Sequence, residues 1–160
     1  MTIRRGGTLD GQQHRLLVAW AADCAEHVLN YFESQYPDDN RPRRALEQAH
    51  AWARGELSMM QAREAAYAAH DAAQAATGAA REAARAAGHA VATAHMADHE
   101  LGAAAYAIRA VRAASPVDGR DEAGRLECQW QREQLPRAIR ALVLADQELR
   151  NHKFWSLFQC

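Results

Sequence analysis

ARAAGHAVATAHMADHELGAAAYAIRAV, residues 84–111, is the stretch on which the fold turns. It lies inside an alanine-rich region, 62–114, where Ala alternates with Arg, Glu and Gln. Alanine has the highest intrinsic helix propensity, and its partners here are also good helix formers. No proline falls between Leu57 and Ser115. The β-branched and aromatic residues that strands favour are few. The region therefore reads as helix. Rows of small side chains let helices approach at the close end of the usual ~8–10 Å range. Bulk must then come from elsewhere: Trp20, Trp52, Trp130, Trp155 and the leucines.

Arg63, Glu64, Arg81, Glu82, Arg85, Asp98 and Arg109 interrupt every window of this region. A membrane span needs about 20 largely apolar residues, so none is expected. The alanines recur at helical spacing, which argues against disorder. A single helix over 78–114 would be about 55 Å long, too long for a domain of this size. Shifting the chain by 39 residues lays His50 on His89, Ala53 on Ala92 and Tyr67 on Tyr106. The turn signal at Gly55–Ser58 then lands on 94–97. A break near Met96 follows, with Asp98 as the expected cap of the next helix. Two helical hairpins related by an internal repeat would result, with a period like that of paired-helix repeats.

Towards the N-terminus, residues 1–10 are expected to be loose. Leu17, Ala21, Cys24, Val28 and Tyr31/Phe32 share one face of a first helix, 11–34. Residues 35–42 are a loop by their prolines and Asx residues. Pro42 suits the first turn of a second helix, which Gly55 ends. Ser58 and Gln61 form a capping box for a third helix running to about Ala76. Thr77-Gly78 separates it from the fourth. Beyond the loop at 115–119, a sixth helix covers 121–135 and a seventh 136–152. Phe154, Trp155, Leu157 and Phe158 in the tail should be docked, since left free they would promote aggregation.

The 160 residues carry a net charge of -1. One domain, 1–160, is the default at this length, and it can build a core without staples. Balanced charge offers no global surface for nucleic acid or anionic lipid. The opening MTIRRGG has two arginines and no apolar run behind them, so no secretory signal is expected. Cys24, Cys128 and Cys160 contain no Cys-x-x-Cys pair and read as reduced thiols of a cytoplasmic protein.

His95 and His99 are one helical turn apart, and two ring nitrogens at that spacing can share a metal. With Asp98 they form His-Met-Ala-Asp-His, close to an inverted zinc-protease pattern with Asp in place of Glu. His89, His50 and His70 are candidates for a third ligand. The simpler reading is a structural cluster of His89, His95 and His99 around Asp98, with neutral rings donating to a carboxylate or carbonyl and no metal. Asp38, Asp39, Arg41, Arg43 and Arg44 form a charged patch before and into the second helix. It can bind an anion or a partner, or simply be solvated, its carboxylates at the positive helix end. Arg81, Arg85 and His89 share a face that reads as a solvent stripe more readily than a phosphate ridge. No Gly-x-Ser-x-Gly elbow and no phosphate-binding glycine loop is present.

Four segments, WAADCAEHVLNYFE (20–33), PDDNRPRRALEQAHAWARGE (37–56), AGHAVATAHMADHELGAAAYAIRAV (87–111) and ELRNHKFWSLFQC (148–160), together resemble the bacterial putative immunity protein family, the fifth such class. The resemblance covers nearly the whole chain in order. It implies a small all-helical protein of a toxin–immunity system, and it brings no catalytic residues with it.

These readings converge on an all-α protein, a compact bundle of about seven helices. By the resemblance it binds and blocks a cognate toxin by occlusion, without catalysis or cofactor, in the cytoplasm. Nucleic acid and membrane are not expected as partners, and a homo-oligomer is compatible. Asp39, Arg41, Arg44 and Glu56 are the surface residues offered for partner binding. The alternative is a small metal-dependent or ligand-binding enzyme using His89, His95, Asp98 and His99.

Overall fold

The computed structural model describes residues 9–160. The expectation of loose chain over 1–10 falls mainly outside them. Residues 9 and 10 are already ordered: Leu9 packs on the core and Asp10 caps the first helix. The Gln13 N–H donates to Asp10 Oδ1 at 2.7 Å, and the Asp10 N–H donates to Gln13 Oε1 at 3.2 Å. This reciprocal pair satisfies two of the free donors at the helix start.

All regular structure among the described residues is helical. The first expected helix divides into α1 (Gly11–Glu26) and a single turn, α2 (Asn30–Glu33). Between them the backbone tightens: the Val28 N–H donates to Ala25 and the Leu29 N–H to Glu26, each three residues back. Tightening of this kind turns the chain more sharply than an α-helix does. Val28, Leu29 and Phe32 are all buried as a result.

In α3 (Arg41–Ala53), Pro42 sits in the first turn as expected. Gly55 follows at φ +80°. Its N–H donates to Trp52 at 2.8 Å, and the Glu56 N–H donates to Ala51 at 2.9 Å. That is the two-bond stop made by a left-handed residue after a helix. Ser58 and Gln61 close the capping box of α4 (Met59–Ala75). α5 (Gly78–Ala92) ends at Thr93, and Met96 is extended at φ −146°, ψ 102°. A 3-10 turn, Ala97–His99, leads into α6 (Glu100–Ala114). The cap position of α6 is His99 rather than Asp98, because the 3-10 turn takes Asp98 into itself. α7 (Arg120–Glu133) and α8 (Arg137–Arg150) complete the set of eight described α-helices.

The 39-residue offset reappears in the helix ends. α3 and α5 stop at Ala53 and Ala92, and α4 and α6 at Ala75 and Ala114, each pair 39 apart. The matched tyrosines differ in setting: Tyr67 is 57% exposed, whereas Tyr106 packs on the core.

Two buried clusters share α1 and α6 as walls. Val18, Ala21, Ala22 and Ala25 of α1 and Ala103, Ala107 and Ala110 of α6 face the alanines of α4 and α5. Leu17, Trp20 and Cys24, with Leu101, Ala104 and Ile108, face Cys128, Ile139, Val143 and Phe158. The alanine helices thus pack tightly on one side, and the large side chains fill the other, where α7, α8 and the tail close over them.

The tail corrects two expectations. Cys128 and Cys160 form a disulfide, and only Cys24, fully buried, is free among the cysteines. The pair is separated by 32 residues, so no local motif announces it; the tail returns across α7 to reach it. Cysteine usage therefore no longer argues for a reducing compartment. Phe158 is buried and Phe154 half-buried, but Trp155 is 52% exposed. Trp155 and Ser156 adopt left-handed φ values of 55° and 56°, a turn that throws the indole outward onto Arg109. Arg132 holds the chain beyond it by donating to the carbonyls of Phe158 (2.9 Å) and Cys160 (2.8 Å). Cys160→Ser is expected to cost about 2–4 kcal/mol in urea unfolding. The same loss should follow when the wild type is unfolded in dithiothreitol; curves unaffected by the reductant would show that the bond does not staple the tail.

Candidate functional site

The break at Met96 gathers imidazoles from three helices. His89 near the end of α5 and His99 at the cap of α6 place their Nδ1 atoms 3.2 Å apart. One ring must donate and the other accept. His95 lies 5.6 Å from His99 between ring centres, and His70 of α4 meets His89 edge-on at 5.1 Å. Tyr106 of α6 stacks on His89 at 5.1 Å. Thr93 binds the His89 carbonyl through its hydroxyl at 2.9 Å. Asp98 flanks the group: its charge acts on His99, and its carbonyl accepts from Arg150 Nη1 at 3.0 Å. The structure thus brings His89, His95, His99 and Asp98 to one corner and adds His70 and Tyr106. His50 lies elsewhere, 3.9 Å from Asp23.

Two glycines make room for these rings. A Cβ on Gly102 would stand 2.6 Å from His89 Nδ1 and 2.8 Å from its Cγ. On Gly88 it would stand 2.6–2.8 Å from three atoms of the His70 ring. Each imidazole is seated against the backbone of the next helix, where an alanine would exclude it. Glycine inside a helix costs about 1 kcal/mol relative to Ala, so a Gly→Ala change should ordinarily stabilise. Here overpacking costs about 1–3 kcal/mol and reverses the sign. Gly102→Ala is expected to lower stability in urea by that order, and Gly88→Ala by less, because the contacts there reach the tip of the His70 ring. A gain in stability for Gly102→Ala would mean that His89 is not held in this seat.

Burial holds all four histidines below their ordinary range. His89 is lowered to about 3, by burial first and then by His70, His99 and Arg85. His70, His95 and His99 are lowered too, again chiefly by burial, with Arg85, Arg63 and the neighbouring rings adding. At neutral pH the cluster is a set of uncharged donors and acceptors. His70 Nδ1 and His95 Nδ1 are buried without a hydrogen-bond partner among the described residues. Among the described residues no three His, Cys, Asp or Glu side chains converge so as to hold a metal ion.

The residues offered for partner binding do not converge. Arg41 grips Asp39 with both arms, at 2.9 and 2.6 Å, and holds that carboxyl below its ordinary range. Glu56 is paired in the same way with Arg54, at 2.9 and 3.0 Å, beyond the other end of α3. Arg43 binds Glu33 at 2.7 Å and also reaches Glu26. Arg44 makes no ion pair with a described residue. It lines a groove of about 310 Å³ between α3 and α4 with Arg41, Gln48, Gln61 and Glu64.

A second buried polar unit was not legible as such in the sequence. Arg150 donates through Nη2 to Glu100 Oε1 at 2.8 Å and to Asp146 Oδ2, with both acids essentially buried. Burial first, and then the Asp146 carboxyl beside it, push the Glu100 carboxyl well above its usual range. Asp146 shares the buried face of α8 with Ile139 and Val143, and an acid inside an apolar stripe was the one available signal.

The model of the family described as Imm-5 like putative immunity protein matches residues 7–138. No curated protein and no solved structure matches the chain.

Proposed function

The chain belongs to the Imm-5 like putative immunity protein family, and from that membership we propose that it binds and neutralises a cognate bacterial toxin. The observation that carries this reading is the match across 7–138, which spans α1 to the start of α8. Inhibition is by occlusion: the chain acts as one helical unit and takes no part in chemistry. Arg44, with Asp39 and Arg41 at the start of α3, supplies charged contacts, and Glu56 offers a separate one beyond the other end of that helix. Of the two arginines, Arg44 is the one with no ion pair among the described residues, so a partner carboxylate there would gain a new pair without breaking one of those described.

We propose that it acts in the cytoplasm of a bacterial cell, where Cys128 and Cys160 would be held as thiols and the bond between them would close on oxidation. Among the described residues no helix is long and apolar enough to cross a membrane. A fully formed Cys128–Cys160 bond after thiol trapping in cells would instead place the protein in an oxidising compartment. The functional test is co-expression. Reading frames flanking the gene are induced in a laboratory strain with and without this chain. Relief of growth arrest by one of them, with a stoichiometric complex on co-purification, supports the reading. Arrest that the chain never relieves contradicts it.

A further inference from the structure

One outward face of α4, α5 and α6 carries arginines laid over aromatic rings. Arg63 lies over the Tyr67 ring at 5.6 Å and donates to its hydroxyl at 3.1 Å. Arg85 and Arg109 lie over Tyr106 at 5.9 and 5.5 Å. Arg109 also stacks on Trp155 at 4.2 Å, and Tyr106 meets Trp155 edge-on at 5.6 Å. The histidine corner lies between these groups: His89 stacks on Tyr106, and Arg63 acts on His95. Tyr67 and Trp155 are more than half exposed.

The charges on this face are unbalanced, although the chain's net charge is -1. Glu82 is buried and taken up by Arg109 at 2.9 Å, with Arg81 at 3.7 Å. Glu64 lines the α3–α4 groove, and Asp71 acts on Arg41 as well as on His70. Asp98 sits at the His99 end. Arg63 and Arg85 have no carboxylate partner among the described residues. Stacking on rings fixes a guanidinium's plane, so less freedom is lost when it takes a carboxylate. Tyr, Trp and Arg are also the residues that dominate binding energy at protein interfaces.

We propose that this face receives an acidic protein surface, one that sets Asp or Glu side chains against Arg63 and Arg85 between the Tyr67 and Trp155 rings. It rests on the immunity reading in taking the toxin as that protein. Nucleic acid fits less well, because the cations stand as separate pairs with uncharged imidazoles between them and form no continuous track.

The test compares wild type with Arg63→Glu/Arg85→Glu and with Arg137→Glu, each first checked by thermal melting. If the double variant does not fold, Arg63→Glu alone decides, since its side chain is exposed. In growth-relief assays the double variant should lose protection and Arg137→Glu, an exposed site on α8 away from this face, should keep it. The reverse pattern would overturn the face while leaving the immunity reading intact. If wild type relieves no arrest, the immunity reading fails, and the face is judged by poly-L-glutamate at physiological salt. Wild type should bind that polymer at least tenfold more tightly than the double variant does, and should ignore poly-L-lysine. Equal binding by both proteins would overturn the proposal. So would tighter binding of single-stranded DNA, or a homodimer that Arg63→Glu dissolves.

Discussion

Arg150→Met is expected to destabilise the protein by about 3–5 kcal/mol, a large share of the ~5–15 kcal/mol available to a domain of this kind. Arg150 is the cation between Glu100 and Asp146, which are 0% and 2% exposed, and it also donates to the Asp98 carbonyl. Burial and the neighbouring Asp146 carboxyl push the Glu100 carboxyl well above its usual range, so the unit depends on the Arg150 guanidinium it shares. Methionine fills the space but leaves a buried carboxylate without a counter-ion. The group must then protonate or stay charged in an apolar site, and both cost free energy. Asp146→Asn in the same chain removes that charge, so the double variant should recover part of the loss. Urea unfolding of the wild type, both single variants and the double variant measures this. Additive losses would show that the two residues do not act on each other.

Acid should unfold this protein well before it unfolds one held mainly by carboxylate pairs. The four clustered histidines have folded-state pKa values below the ordinary 6.5. The unfolded chain therefore binds more protons than the folded one, and stability falls as pH falls. The contribution is fully present above about pH 6.5 and is lost below it, down to about 3 for His89. At ~1.4 kcal/mol per pH unit, the shift of His89 from 6.5 to about 3 accounts for about 5 kcal/mol between neutral pH and pH 3. Glu100 opposes this: its folded pKa is raised, so its contribution is present below its unfolded value near 4.5 and is lost as pH rises. Asp23, also raised by burial, acts in the same direction, and two carboxyls set against four imidazoles leave a net acid-labile protein. The melting temperature should drop steeply between pH 7 and 5, and His89→Asn should flatten that slope even if it lowers the plateau. A melting temperature level across that range would contradict the neutral cluster.

Most helix boundaries could be read from the sequence because they depend on local chemistry. Ser58 with Gln61, Pro42, and Gly55 each act within one turn of chain, and each does in the structure what its type dictates. The break near Met96 was legible only through the offset that lays His50 on His89. The misses share a different cause. The Cys128–Cys160 bond, the outward turn of Trp155 and the Glu100–Asp146–Arg150 unit all depend on contacts between distant segments. Gly88 and Gly102 look like mere weak points in alanine helices, and only the His70 and His89 rings above them explain their presence. The histidine corner was half visible: the sequence offered His89, His95 and His99, while Tyr106 and the arginine-lined face needed the packing of α4 on α5 and α6.

The proposed neutralisation of a toxin by occupying it has a direct test. The most direct measurement is the activity of the purified toxin from the growth assay, titrated with this chain. Occlusion predicts that activity falls linearly and vanishes near one equivalent, with the chain and the toxin recovered chemically unchanged. Full loss at a small fraction of an equivalent, or no loss at excess, would contradict it.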